Sequence, residues 1–91
     1  MAATFHLSIL TPEKSVFEGE VEYAEVPGIE GYLGVLAHHA ALVTGLAKGT
    51  LTARASGGAS QHWEVDGGFF EVSHNRATVL ADGVEAGAAT R

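Results

Sequence analysis

Cysteine is absent from this 91-residue chain. Its absence excludes disulfide bonds, thiolate metal sites and cysteine nucleophiles. It suits a reducing cytosol without identifying a compartment. An apolar core must therefore hold the chain together, and a hydrophobic content of 46% is ordinary for a globular protein. A chain of this length predicts one domain.

Basic residues are also few. The chain has five Lys and Arg residues against eleven Asp and Glu residues, which gives a formal net charge of −6. Nucleic-acid binding is not expected, because phosphate contacts need clustered basic side chains. The negative charge favours a basic partner, or it simply keeps the protein soluble.

Long apolar runs are missing as well. No segment approaches the roughly 20 apolar residues that span a bilayer. The start, "MAATFHLSIL", lacks the basic and apolar regions of a signal peptide. We therefore expect a soluble protein without direct membrane insertion. No repeat or linker interrupts the chain, so we predict one domain over residues 1–84 and a short C-terminal tail over residues 85–91.

Alternation of apolar and polar residues, which is typical of half-buried strands, runs through most of the chain. In "TFHLSIL" the apolar positions are Phe5, Leu7 and Ile9. In "FEGEVEYAEV" the phase slips by one residue between Tyr23 and Glu25. Such a slip turns a strand over, so a bulge or bend is predicted there.

The second half of the chain continues this pattern. The apolar run "HAALVTGLAKG" is predicted to be a strand, because glycine and threonine in its middle weaken a helix. "TLTARAS" and "QHWEV" alternate on either side of "SGGAS", a hairpin loop by composition, and "FFEVS" and "RATVLAD" flank a turn at "HN". The fold class is predicted to be all-β, an antiparallel β-sandwich of short strands.

The adjacent histidines 38 and 39 raise the possibility of a metal site. A zinc site would need further ligands from elsewhere, with His6, His62 and Glu30 as candidates. Neighbouring residues on a strand point to opposite faces, so both histidines rarely bind one ion. A structural or contact role is favoured, and no metal is expected. A small metal-dependent enzyme that uses His6, His38 and His39 is the rival hypothesis.

Other catalytic patterns are lacking. No serine lies in a G-x-S-x-G elbow, and Glu18, Glu20 and Glu22 share one strand face that is ordinarily solvated. "DGGFF" has no basic residue for phosphate, so a turn at the entry of a strand is preferred. No catalytic residue and no cofactor are predicted. A stand-alone ligand-binding sandwich is the alternative function, but Trp63 lies in the apolar phase of its strand rather than on an exposed platform.

Two ordered motifs resemble the N-terminal domain of the epsilon subunit of F-type ATP synthases. The first is an E-G-x-L-G stretch at residues 30–34, followed by a histidine turn and an apolar strand that ends at Gly49. The second is "VDGGFFEVSHNRATVLAD", which is similar to the family's G-G-x-x-E-V and V-T-V-L-A-D segment. The likeness covers residues 4 to about 83.

The resemblance implies a β-sandwich of about ten strands in two sheets. It implies a non-catalytic rotor subunit at the foot of the central stalk, where it couples the gamma subunit to the membrane c-ring for proton- or sodium-driven ATP synthesis. It also implies a peripheral location on the cytoplasmic side of the bacterial plasma membrane. The isolated protein is expected to be monomeric.

Matching positions carry the expected contacts. The c-ring contacts implied by the resemblance are Ile29, Glu30, Gly31 and Tyr32, and the gamma contacts are His39, Ala40 and Leu42. Leu10 is predicted to join the gamma contacts, because it breaks the inward alternation of its strand. The family's turn has glycine before the histidine and proline after it, whereas this chain has His38 and Ala41. The family's C-terminal helical hairpin has no counterpart before Arg91, so neither ATP binding nor inhibition of ATP hydrolysis is expected.

Overall fold

A computed structural model describes residues 3–86, and all regular structure in that range is β. The strands are β1 (Phe5–Leu10), β2 (Ser15–Val21), β3 (Tyr23–Gly28), β4 (Gly31–Leu36), β5 (Leu42–Arg54), β6 (Ser60–Ser73), β7 (Arg76–Ala81) and β8 (Val84–Ala86). Within residues 3–86 no helix is long and apolar enough to cross a membrane.

The strands form one hydrogen-bonded sheet in the order β2-β1-β7-β6-β5-β3-β4, with β8 paired to β6. The predicted antiparallel arrangement holds for every described pair except β1 and β7, which run parallel. These two strands are far apart in sequence, so no tight hairpin forces them to be antiparallel.

Strand β6 bends at Gly67 and Gly68, where the backbone φ angles are +109° and +131°. Before the bend, the buried residues are at odd positions and include Val65, whereas after it they are at even positions and include Phe70. The prediction of a turn at the entry of a strand in "DGGFF" is therefore wrong. The bend lies inside β6, because glycine permits a bend while pairing continues on both sides.

Strand β5 changes phase at the same level. Before the exposed pair Ala47 and Lys48 the buried residue is Leu46, at an even position. After the pair the buried residues are at odd positions and include Leu51. The two bends fold the sheet onto itself. The first layer contains β2, β1, β7 and the halves of β6 and β5 at residues 68–73 and 42–46. The second layer contains β8, β3, β4 and the remaining halves.

Counting the halves of β5 and β6 separately gives ten strand segments in two layers, in agreement with the predicted sandwich. The segments predicted as separate short strands, "HAALVTGLAKG" and "TLTARAS", both lie largely within β5. Likewise "QHWEV" and "FFEVS" belong to β6. The pairing of β5 with β6 continues on both sides of each bend. Sequence periodicity predicted two strands in each case, because the buried phase changes at the bend.

Both layers contribute to one hydrophobic core. Its buried residues are Phe5, Leu7, Ile9, Val21, Ala24, Val26, Val35, Leu46, Leu51, Ala53, Trp63, Val65, Phe70, Val72, Ala77, Val79 and Ala81. Each large aliphatic or aromatic side chain buried here contributes about 1.5–3 kcal/mol. The ring of Trp63 packs on Phe17 with centroids 5.2 Å apart, so Trp63 is a core residue and offers no exposed platform to a sugar.

The turns follow the predicted composition. The bend expected between Tyr23 and Glu25 lies at Glu22, where the chain passes from β2 in the first layer to β3 in the second. His74 and Asn75 form the predicted turn, and both have positive φ angles. Strand β8 begins at the predicted domain end, residue 84, so the sheet extends into the predicted tail. Residues 87–91 of that tail lie outside the described residues.

Candidate docking surfaces

An apolar row crosses the outer face of the first layer. Leu10 of β1 is paired with Leu80 of β7, Leu80 with Phe69 of β6, and Phe69 with Gly45 of β5. Directly paired residues lie side by side on one face of a sheet. These side chains point away from the core, because their neighbours in sequence are buried.

Ile29 and Val43 extend the row at its β5 end. The Ile29 N–H donates to the Gly45 carbonyl at 3.0 Å, and a Cβ atom on Gly45 would lie 3.4 Å from the Ile29 side chain. Val43 precedes Gly45 by two residues and shares its face. We define the apolar row as Leu10, Ile29, Val43, Phe69 and Leu80.

The row is largely open to solvent. The exposed fractions are 64% for Ile29, 67% for Val43, 62% for Phe69 and 51% for Leu80, and Leu10 is partly buried. Single exposed hydrophobic residues are ordinary, but adjacent ones on one face mark an interaction surface. This arrangement provides an apolar docking surface and no chemistry of its own.

The predicted c-ring contacts lie in the hairpin that joins β3 and β4. Gly28 pairs with Gly31, so Ile29 and Glu30 form a two-residue loop, and Gly31 has a φ angle of +126°. Glu30 is exposed, and within residues 3–86 its carboxylate forms no ion pair. Ile29 belongs both to this hairpin loop and to the apolar row.

Tyr32 is exposed but held in one place. Its hydroxyl accepts a hydrogen bond from the Thr50 N–H at 3.1 Å. A Cβ atom on Gly49 would lie 2.7 Å from that hydroxyl and 2.8 Å from Pro27. Gly49, the glycine that ends the first family-like motif, therefore leaves the space in which Tyr32 crosses β5.

The predicted gamma contacts are divided between two surfaces. Leu10 lies in the apolar row, whereas Leu42 packs against the core. Leu42 also lines a depression of about 250 Å³ together with Glu30 and Tyr32, next to the predicted ring contacts. His39 and Ala40 lie in the loop between β4 and β5, where His39 Nδ1 is 2.7 Å from the Ala40 carbonyl.

Sequence reasoning missed three residues of the row, namely Val43, Phe69 and Leu80. Phe69 and Leu80 are each adjacent to a buried apolar residue, in "FF" and "VL". An apolar residue in the outward phase of an alternating strand was the available signal. Val43 could not be identified in this way, because it lies in a continuous apolar run in which no alternation distinguishes inward from outward residues.

His38, which the family pattern left unexplained, has a backbone role. Its φ angle is +66°, in the left-handed region that favours glycine. Its N–H donates to Asn75 Oδ1 at 2.7 Å, and Asn75 Nδ2 donates to the Thr4 carbonyl at 2.9 Å. His38 thus occupies a position whose left-handed backbone conformation explains why the family has glycine there.

Replacing His38 with glycine is expected to stabilise the fold by about 0.5–1 kcal/mol, since relief of a left-handed residue exceeds the entropic cost of glycine. The hydrogen bond to Asn75 uses the backbone N–H and survives the change. Chemical denaturation measures the difference. His38→Ala retains the strained backbone and should bring no gain, so equal stability of the two variants would refute this explanation.

His6 lies within a polar cluster on the outer face of β1 and β2. Its ring nitrogens are 2.8 Å from Glu18 Oε1 and 3.3 Å from Glu20 Oε2, and the Ser8 hydroxyl donates to Glu18 at 2.8 Å. The hydrogen bond from His6, and then that from Ser8, lowers the pKa of Glu18. Across residues 3–86, no three His, Cys, Asp or Glu side chains are grouped so as to hold a metal ion.

The lowered pKa of Glu18 predicts a pH dependence. Because the folded-state pKa lies below the ordinary value of 4.5, the stabilising contribution is present above that value and is lost as the pH falls through the folded-state pKa. His6→Ala should raise the Glu18 pKa, and Ser8→Ala should raise it less. Carboxyl NMR titration measures both, and an unchanged pKa in His6→Ala would contradict the assigned cause.

Comparison with known families supplies a context for these surfaces. Residues 4–87 match the family described as ATP synthase, Delta/Epsilon chain, beta-sandwich domain. The chain is 50% identical over 80 residues to the ATP synthase epsilon chain of Nitrobacter winogradskyi, covering 88% of this chain and 58% of the relative. It is 48% identical over 85 residues to that of Desulforamulus reducens, covering 93% of this chain and 64% of the relative. The chain thus spans about three fifths of these relatives.

Solved structures agree on the fold. A chain of the Euglena gracilis mitochondrial ATP synthase, solved with OSCP, F1 and c-ring, superposes with a TM-score of 0.88 at 24% identity, covering 94% of this chain and 55% of that one. A chain of the Tetrahymena thermophila central stalk and c-ring gives a TM-score of 0.78 at 16% identity, covering 93% and 68%. At these identities the likeness establishes the fold alone.

Proposed function

The chain belongs to the ATP synthase delta/epsilon β-sandwich family, and on this premise we propose that it is a non-catalytic rotor subunit of an F-type ATP synthase. In this role it joins the gamma subunit to the membrane c-ring, so that ion-driven rotation becomes torque on the catalytic head. The proposal includes a peripheral location on the cytoplasmic side of a bacterial plasma membrane.

The apolar row is the observation that carries the gamma contact. Its five side chains come from four neighbouring strands and one hairpin, so they form a surface that only a folded sandwich presents. Burial of this apolar area under a partner would contribute a favourable free energy of about 25 cal/mol per Å². The proposed gamma face therefore includes Leu10 and extends to Ile29, Val43, Phe69 and Leu80.

The hairpin tip is the proposed c-ring contact. Glu30 is exposed there, so the proposal pairs its carboxylate with a basic side chain from a polar loop of the ring. The ion pair would be solvent-exposed, so it contributes only about 0–1 kcal/mol and mainly sets orientation. Tyr32 supports the contact, because its bond to Thr50 fixes β4 against β5. Leu42 borders this surface, in the depression that it shares with Glu30 and Tyr32. The proposal keeps His39, Ala40 and Leu42 as gamma contacts.

Val43→Asp is expected to weaken binding to the gamma subunit of the same organism more than tenfold, since a charge would be buried in the apolar contact. Isothermal titration calorimetry with purified gamma measures the change. Val43 is preferable to Leu42, because Leu42 packs against the core and its substitution would also perturb folding.

Ser60→Asp is the matched control. Ser60 is exposed on β6 in the second layer, away from the row. This variant should bind gamma as the original chain does, and both variants should retain the same thermal transition within a few degrees. If the original chain does not bind gamma, the proposed function is wrong. If Val43→Asp binds gamma normally, the function stands but the assigned face is wrong.

A further inference from the structure

We propose that the gamma segment bound by the apolar row is an amphipathic helix that lies across the strands and carries basic residues on both sides of its apolar stripe. This inference rests on the proposed function and adds the shape and charge of the partner element. It comes from the direction of the row and from the acidic residues beside it.

The direction of the row favours a helix. It runs perpendicular to the strands, with one residue each from β1, β7 and β6. Neighbouring strands are about 4.8 Å apart, so the row from Leu10 to Gly45 is roughly 14 Å long. A helix of roughly ten residues covers this length with a single apolar stripe. An extended strand would gain no backbone hydrogen bonds on this face, because those groups are already paired within the sheet.

The charges beside the row favour basic flanks. Glu71 is paired with Val43 on one side of the row, and Asp82 lies on the other side, around a depression that it shares with Leu10, Phe69 and Leu80. Both acids are exposed, and neither forms an ion pair within residues 3–86. Lys14, in the turn after β1, is the nearest basic residue in sequence to Leu10. Acids on opposite sides of an apolar stripe complement a helix with Lys or Arg on both flanks.

The lack of cysteine permits a direct test of the helix. Val43→Cys and Leu80→Cys each provide a single thiol for a photoactivatable crosslinker, and mass spectrometry locates the attachment sites on gamma. Both thiols should label one continuous gamma segment, at positions separated by whole helical turns. Attachment in two distant segments, or at alternate residues of one extended segment, would overturn the proposal.

The charge reversal Glu71→Lys with Asp82→Lys tests the basic flanks. This double variant should raise the gamma dissociation constant at least roughly tenfold at about 50 mM NaCl, and the difference should shrink at about 500 mM because salt screens exposed charges. Glu85→Lys, an exposed acid on β8 of the other layer, is the control and should bind normally. An unchanged constant in the double variant would refute the charge complement, whereas failure of the original chain to bind gamma at all would refute the proposed function itself.

Discussion

Gly68→Ala is expected to prevent folding. A Cβ atom at this position would overlap the Leu80 carbonyl oxygen and would lie 2.9 Å from the Ala81 Cα atom. Both contacts are with backbone, so no flexible side chain can move away. The φ angle of +131° adds a conformational cost for any residue except glycine. Together these effects exceed about 4 kcal/mol, a large part of the stability of a small domain.

Gly58→Ala separates the two causes. Gly58 has a φ angle of +100° in the loop between β5 and β6, and a Cβ atom there would meet nothing within 4 Å. This control should therefore lose only about 1–2 kcal/mol. Circular dichroism and chemical denaturation of both variants measure the difference. A folded Gly68→Ala protein with the stability of Gly58→Ala would mean that β6 bends elsewhere.

The same bend explains how far the fold could be predicted from the sequence. Alternation identified the strands because inward and outward side chains differ in polarity along each one. It divided β6 in two, since the buried phase changes across Gly67 and Gly68. Periodicity detects such a change of phase, but it carries no information on whether backbone pairing continues through it. The parallel pairing of β1 with β7 was equally hidden, because it joins residues distant in sequence.

The candidate site was predicted less completely. Matching residues to the family pattern placed the predicted ring contacts in one turn, and the structure has a hairpin loop there, at Ile29 and Glu30. The contacts themselves stay a prediction. The predicted gamma set combined two signals, a family match for Leu42 and a break in strand alternation for Leu10, and these two residues lie on different surfaces. Phe69 was missed because its exposure depends on which residues of β6 face the core after the bend at Gly67 and Gly68. The role of His38 became clear only from its φ angle, which cannot be predicted from the pattern of residue types.

The adjacent residues Phe69 and Phe70 allow docking to be separated from folding with one type of substitution. Phe70 has an exposed fraction of 0% and Phe69 of 62%. Phe70→Ala should destabilise the fold by about 3–5 kcal/mol, because it leaves a cavity in the core. Phe69→Ala should change stability by no more than about 0.5 kcal/mol, since its side chain is in water in the free protein.

Gamma binding should respond in the opposite way. Phe69 lies at the centre of the row, between Leu80 and Gly45, and large aromatic residues at the centre of an interface are typical hot spots that contribute about 2 kcal/mol or more. Phe69→Ala should therefore weaken gamma binding at least roughly thirtyfold. Phe70→Ala, measured at a temperature where it remains folded, should bind nearly as well as the original chain, because its side chain does not reach the outer face. Denaturation and calorimetry on the same two samples give both quantities. Equal loss of binding in the two variants would mean that gamma senses the stability of the sandwich and not the row on its surface.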